Sequence, residues 1–289
     1  MEIERNSSAV LTARFPDVAQ GWEHWVLLRS DAHHDSPSCD RALEEQHLKM
    51  MTERDGSWAD FGDLFDAMQG KFDPRRNYDE IRPEDRCQKY YDSVGDHAAE
   101  FYEPYADRCL MLGTGNHETA TLKNSNTDLT DRLVKALNAQ LKERGSGHKI
   151  RMGGYGGWVR FLFTINRTKG RSILLKYMHG AGGTAPVTKG VIQTNRQAVF
   201  LPDANIVING HNHQGYTLPL ARERVSRGGK QFKDIQWHGR IPGYKDDYGD
   251  GSGGFAVEKG HSPNPLGALW LHFEYVRDGV KYKLETEIQ

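Results

Sequence analysis

Short apolar runs, each closing on a polar cluster, recur along the chain. Trp25–Leu28, Cys109–Leu112, Ile173–Met178 and Ile206–Ile208 have the length and aliphatic character of buried strands. Val159–Ile165 reads as another strand. Between these runs the spacing turns helical. Leu129, Leu133, Leu137 and Leu141 recur at i+4 across residues 128–144, with Thr127 placed to cap the start and Gly145 the end. Residues 41–54 and 83–102 carry further helical patterns. Strands alternating with helices predict an α/β fold. The last part differs: 268–276 and 280–288 are β-rich, and Arg277-Asp278-Gly279 between them signals a hairpin. Ahead of it, Gly239–Gly260 is glycine-rich and is expected to be a mobile surface loop. No linker splits the pattern, so 1–289 is expected to form a single domain, with 67–108 as a candidate lid or surface helix.

Composition adds limits. Hydrophobic residues are 37% and charged residues 27% of 289, which describes a globular chain with a substantial core. A formal net charge of -1 predicts no partner, so attraction to nucleic acid would need a local patch. One stands at 220–245, where Arg222, Arg224, Arg227, Lys230, Lys233, Arg240 and Lys245 face only Glu223 and Asp234. It reads either as a solvated basic face or as a rim for phosphodiester backbones, with Trp237 and Tyr244 available to stack on a base. Cys39, Cys87 and Cys109 are odd in number and fit no paired spacing, so free thiols in a reducing compartment are expected. The charged start Met1–Arg5 is unlike a signal peptide, and no apolar run approaches the length of a membrane span. The expectation is a cytoplasmic protein without membrane contact.

The polar clusters carry the chemistry. In Ser30-Asp31-Ala32-His33, extended chain points Asp31 and His33 to one side, so a carboxylate and an imidazole can grip one cation. Gly62-Asp63-Leu64-Phe65-Asp66 adds a carboxylate able to bridge two ions, Asp63, and leaves Asp66 free for another role. Each of these alone is more often a turn or a helix cap. Gly113-Thr114-Gly115-Asn116-His117-Glu118 offers a neutral oxygen at Asn116 and a proton donor at His117. His179 ends the run 173–178, and Asn209-Gly210-His211-Asn212-His213 sets two histidines at a strand end. His34 would point away from His33, and Gly95-Asp96-His97 falls inside a helical pattern, so both stay outside the set.

In this order, DxH, GDxxD, GNHE, His and GHxH, the clusters resemble the calcineurin-like metallophosphoesterases over Asp31–His213. The resemblance implies a four-layer α/β/β/α sandwich of two mixed sheets flanked by helices. It implies one divalent metal on Asp31, His33, Asp63 and His213, and another on Asp63, Asn116, His179 and His211, with Asp63 as the bridge. Manganese is the first expectation; nitrogen and oxygen donors without thiolate also suit iron, zinc, nickel or cobalt. A water shared by two such ions loses a proton readily, and the hydroxide attacks phosphorus in line. His117 would protonate the leaving oxygen, with Asp66 orienting its ring.

The substrate is less constrained. Protein phosphatases of the superfamily usually carry arginine just after GDxxD and just before GNHE, to hold a phosphate dianion. Ala67 and Thr114 stand there instead. The lipid A precursor pyrophosphatases have a GDLFD-like motif but arginine at the place of His117. Repair nucleases of the superfamily usually add a capping domain after GHxH, for which the tail here is short. The expectation is therefore a metal-dependent phosphodiesterase hydrolysing a phosphate ester by attack of a metal-bridging hydroxide, with a nucleotide or a nucleic acid as the candidate substrate. Alternatives are a phosphomonoesterase of nucleotides or phosphoproteins, a non-catalytic binding module on the same fold, and a nucleic-acid binder with structural metals.

Overall fold

The computed structural model describes residues 1–289 apart from 70–72, 75, 168, 184–186, 250, 253–254 and 278, and apart from the side chains of 79, 169 and 255. In chain order the strands are β1 (Glu2–Ser7), β2 (Val10–Val18), β3 (Glu23–Arg29), β4 (Ser57–Asp60), β5 (Cys109–Leu112), β6 (Arg151–Met152), β7 (Gly156–Ile165), β8 (Lys169–Met178), β9 (Ile206–Asn209), β10 (Tyr216–Val225), β11 (Gln231–Arg240), β12 (Gly267–Val276) and β13 (Gly279–Ile288). The helices are α1 (Arg41–Glu53), α2 (Tyr90–Tyr102), α3 (Asn116–Ser125), α4 (Leu129–Glu143), α5 (Val191–Phe200) and the short α6 (Phe255–Glu258). None of the described helices is long and apolar enough to cross a membrane.

Two mixed sheets result. One is six-stranded, in the order β13-β12-β3-β4-β5-β6; the other is seven-stranded, in the order β1-β2-β7-β8-β9-β11-β10. Strict alternation makes the contact between them. Along β7, Val159, Phe161 and Phe163 are buried while Trp158, Arg160 and Leu162 are half-exposed. Phe273 of β12 meets Phe161 and Phe163 with ring centroids 4.9 and 5.1 Å apart, at a separation typical of favourable aromatic pairs. The other face of the six-stranded sheet packs on α1, α2 and α4. There Leu133, Leu137 and Leu141 form the buried stripe that their spacing predicts, each contributing about 1.5–3 kcal/mol by burial. The helical layer beside the seven-stranded sheet is thin. α5 is fastened by Thr194 Oγ1 to the Tyr216 hydroxyl (3.0 Å) and, just past its end, by Gln236 Nε2 donating to the Leu201 carbonyl (2.8 Å), while Ile192, Val199 and Phe200 remain exposed.

Several boundaries differ from the sequence expectation. Residues 83–102 are not one helix: Pro83–Asp85 is a 3-10 turn and α2 begins at Tyr90. The buried Asp85 carboxylate accepts from Ser93 Oγ and His97 Nδ1, both at 2.8 Å, which fixes the break and places Gly95-Asp96-His97 on the helix. Asp128, rather than Thr127, caps α4, its carboxylate accepting the Asp131 N–H at 2.9 Å. Gly145, at φ 73°, closes that helix with the paired bonds of a Schellman turn, Ser146 N–H to Leu141 and Gly145 N–H to Lys142. The glycine-rich stretch is not loop from its start. Gly239 lies in β11, and Ile241 and Tyr244 are fully buried. Asp250, Gly253 and Gly254 of that stretch, and Asp278 of the hairpin turn, lie outside the described residues. Cys39 and Cys109 are buried free thiols and Cys87 is an exposed one.

A buried ion network joins the sheet to its helices. The Arg29 guanidinium, fully buried at the end of β3, reaches Glu44 Oε1 of α1 at 2.5 Å and the Tyr102 hydroxyl of α2 at 3.1 Å. It also lies against the rings of Trp58, Tyr102 and Tyr244 at 5.1–5.3 Å. Glu44 Oε2 accepts from His34 Nδ1 at 2.8 Å, so His34 is buried beneath the site rather than on the surface. Burial alone would raise the Glu44 carboxyl, but Arg29 and His34 outweigh it and hold it at about 2. A carboxyl lowered on folding contributes stability that is complete above its unfolded value and is lost as pH falls through the folded one. Glu44→Gln is therefore expected to cost about 3–5 kcal/mol near neutral pH, as removal of one buried partner does. It should also flatten the loss of stability between about pH 4.5 and pH 2. Urea titrations across that range check both; an unchanged acid limb would remove the network from the account of stability.

Candidate metal centre

The ligand loops leave the carboxyl ends of β3, β4, β5, β8 and β9, where open α/β sheets bind their ligands. Backbone ladders hold them in register. The Asp31, His33 and His34 N–H groups donate to the carbonyls of Gly62, Asp63 and Leu64 at 2.9, 3.0 and 2.8 Å. In the other sheet Gly210 N–H donates to the His179 carbonyl (2.8 Å) and Asn209 Nδ2 to the Met178 carbonyl (2.9 Å). Asp31, His33, Asp63, His211 and His213 all adopt left-handed backbone, with φ between 46° and 71°. That conformation is uncommon outside glycine and is held here by its surroundings.

The side chains converge. Ligand atoms of Asp31, His33 and His213 lie within 4.8 Å of one another, and so do those of Asp63, His179 and His211. His179 Nε2 is 3.1 Å from Asp63 Oδ2, 3.2 Å from Asn116 Oδ1 and 3.9 Å from Asp31 Oδ1, and His213 Nε2 is 3.6 Å from Asp31 Oδ1. All seven sequence-predicted ligand residues thus meet around two carboxylates. Two glycines clear the space. A Cβ at Gly115 would stand 2.1 Å from Asp63 Oδ1, and one at Gly210 would stand 2.4 Å from Asp31 Oδ2.

Electrostatics favour a cation here. Burial, opposed by His179, pushes the Asp31 carboxyl up to about 7. Burial would raise Asp63 as well, yet His117 and His179 hold it well below the usual carboxylate range. Burial would lower His179, but Asp63 and Asp31 bring it up to about 10. The carboxylates therefore stabilise positive charge between them, and a divalent ion meets the same field. His33 provides a direct test of fit. Its Nδ1–H donates to Asp66 Oδ1 at 2.8 Å, because a carboxylate can only accept, and burial holds the ring neutral with its pKa at about 4. The lone pair then resides on Nε2, which is buried and has no hydrogen-bond partner among the described residues. An imidazole fixed by a carboxylate on one nitrogen and bare on the other is the usual preparation of a metal ligand.

The role expected for Asp66 needs correction. Its carboxylate holds His33 Nδ1 and Lys245 Nζ (2.9 Å) and stands 3.7 Å from His117 Nδ1. The His117 ring is oriented instead by the Asp66 main chain, Nδ1–H donating to that carbonyl at 2.7 Å, which turns Nε2 toward Asp63 Oδ2 at 3.9 Å. Three supporting residues escaped the sequence reading. Glu118, within the GNHE motif, accepts the N–H groups of Gly115, Asp63 and Phe65 at 2.8, 3.1 and 3.0 Å. Asp35 accepts those of Asp66 and Ala67 at 2.6 and 2.9 Å. Lys245 comes from the stretch expected to be a loop, and no local pattern links it to Asp66. The basic rim at 220–245 also dissolves in part. Arg222 and Arg224 both pair with Asp234, Lys245 and Arg240 are buried or nearly so, and the proposed stacking residue Tyr244 is fully buried. Arg227, Lys230 and Lys233 remain exposed, at and beside the β10–β11 turn.

No protein-family model matches the chain, and no curated protein does. Among solved structures the chain is similar to Vps29 of Entamoeba histolytica complexed with zinc, at 13% identity over 91% of this chain and 98% of that one, with a TM-score of 0.36. It is similar to a predicted phosphoesterase of Streptococcus pneumoniae, at 11% identity over 92% and 99%, with a TM-score of 0.33. It is also similar to GAP50 of Plasmodium, described as the anchor in the inner membrane complex, at 11% identity over 91% and 84%, with a TM-score of 0.45. Likenesses this distant carry no argument about activity, which rests on the residues themselves.

Gly115→Ala displaces Asp63, since the added Cβ would stand 2.1 Å from its Oδ1 and 2.5 Å from its main-chain nitrogen. Manganese affinity should fall about 10–100-fold, the usual cost of disturbing a ligand's support. Calorimetric titration measures it; unaltered affinity would mean that the placement of Asp63 does not govern ion binding.

Proposed function

We propose that the chain is a dinuclear metal-dependent phosphodiesterase of the calcineurin-like type. The observation that carries this reading is the Asp63 carboxylate, which belongs to two donor groups, one with His33 and His117 and one with His179 and His211, and whose Oδ2 lies 3.1 Å from His179 Nε2 of the adjoining sheet. Asp31, His33, Asp63 and His213 would hold one ion, and Asp63, Asn116, His179 and His211 the other. Manganese is the first choice, and the nitrogen and oxygen donors accept iron, zinc, nickel or cobalt as well. When bound, the ions supply Lewis acidity toward the phosphoryl oxygens and toward water.

The protein's own groups perform the rest. His117 is half-buried; burial would lower its pKa, but Asp63 and Asp66 raise it, which favours the imidazolium that a proton donor at Nε2 requires. The Asp66 carbonyl fixes the ring, and Lys245 and His33 fix Asp66. That arrangement suits a general acid for the leaving oxygen. The positions where a dianion-gripping arginine would stand favour a diester. Ala67 is fully buried and Thr114 is a small neutral side chain.

Turnover of bis-p-nitrophenyl phosphate should exceed that of p-nitrophenyl phosphate with added manganese, and a preference for the monoester would move the assignment to a phosphomonoesterase. Elemental analysis of the reconstituted protein should find about two ions per chain. Asp63→Asn and His211→Ala should lose ions and activity together. His117→Ala should keep its ions and lose about 10²–10⁴-fold in kcat. Two bound ions with no turnover of any ester would leave a binding module.

A further inference from the structure

We infer that a cleft beside the metal loop takes one nucleotide unit of the substrate, an assignment that deepens the phosphodiesterase reading and rests on it. The cleft encloses about 880 Å³, within the range of small-molecule sites. It lies between the segment that follows Asp66 and the junction of α3 with α4. One carboxylate joins it to the metal loop: Asp35 accepts the Asp66 and Ala67 N–H groups and also the hydroxyl of Tyr90, in the cleft wall, at 2.8 Å. Thr127 in its lining follows α3, the helix that opens with Asn116 and His117.

The lining has three kinds of chemistry. Arg76, Lys89 and Arg132 are cationic; Arg132 pairs with Asp92 at 2.8 Å, whereas Arg76 and Lys89 have no ion-pair partner among the described residues. Exposed cations of this kind recognise phosphate. Tyr78 is 57% exposed, and the Arg86 guanidinium lies 5.0 Å from its ring centroid, forming a flat platform for a base. Gln69 supplies the third. It is only 7% exposed, and its Oε1 accepts the Asn77 N–H at 3.0 Å, which assigns the amide so that Nε2 is the donor. That Nε2 is buried in the wall with no hydrogen-bond partner among the described residues. An unmet donor of this kind favours a ligand that brings an acceptor. Inorganic phosphate would leave the tyrosine platform unused, and an apolar ligand would leave the cations unused. A nucleotide uses all three.

The test measures binding of AMP, inorganic phosphate and adenosine to the full-length chain in chelator by calorimetry. Asp63→Asn serves as a second background, so that binding at the metal centre and binding in the cleft separate. AMP should bind both proteins alike and bind better than phosphate or adenosine. The Arg76→Ala/Lys89→Ala double variant should weaken AMP at least about tenfold, and Tyr78→Ala about fivefold or more. Cys87, the exposed thiol, lines the cleft, so AMP should slow its reaction with N-ethylmaleimide. Phosphate binding as tightly as AMP, an unaffected double variant, or unprotected Cys87 would each overturn the nucleotide assignment. Hydrolysis that survives Asp63→Asn would overturn the phosphodiesterase reading instead, and AMP binding is read independently of it.

Discussion

Carboxylates crowded out of water repel one another, and the site depends on how that repulsion is met. Asp31, Asp63 and Asp66 are all buried, and each lies beside histidine or lysine. The alternation is possible because two sheets present the carboxyl ends of their parallel strands to a shared edge. β3 and β4 bring the aspartates, β5 brings Asn116 and His117, and β8 and β9 bring His179, His211 and His213. Neither sheet alone holds both the acids and enough imidazoles. The inter-sheet core of Phe161, Phe163 and Phe273 is thus also what keeps opposite charges in reach.

Beneath the site a second set of buried charges does a different task. Arg29, Glu44 and His34 pair with none of the proposed ligands among the described residues, yet Arg29 ends β3 and His34 follows His33 in the chain. Fixing these residues fixes the entry and exit of the Asp31–His33 turn. Tyr244 belongs to the same arrangement, its N–H donating to the Asp31 carbonyl at 3.0 Å and its ring lying against Arg29. Lys245 reaches Asp66 from the residue next to it.

Much of this was legible in the sequence, for reasons that differ by element. β3, β5, β7, β8, β9, β12, β13 and α4 announced themselves because their side-chain pattern is local, whereas β1, β2, β4, β6, β10 and β11 did not. The ligands did so because each motif compresses a donor and a turn into a few residues. Asp66 was assigned the wrong neighbour because a carboxylate and its own carbonyl are indistinguishable at that level; only geometry shows that His33 takes one and His117 the other. Lys245 and the Arg29 network were out of reach because their partners lie far away in sequence. The basic stretch looked freer than it is because a count sets Asp234 against one cation, whereas that single carboxylate engages two arginines.

The left-handed backbone at Asp31, His33, Asp63, His211 and His213 bears on how such a chain drifts over time. Glycine would relax every one of these turns, and every such replacement would delete a donor. Selection for stability alone and selection for ion binding therefore pull these five positions in opposite directions. A relative that had abandoned the chemistry would be free to accumulate glycine there, so the identity of those residues records whether the chemistry is still being maintained.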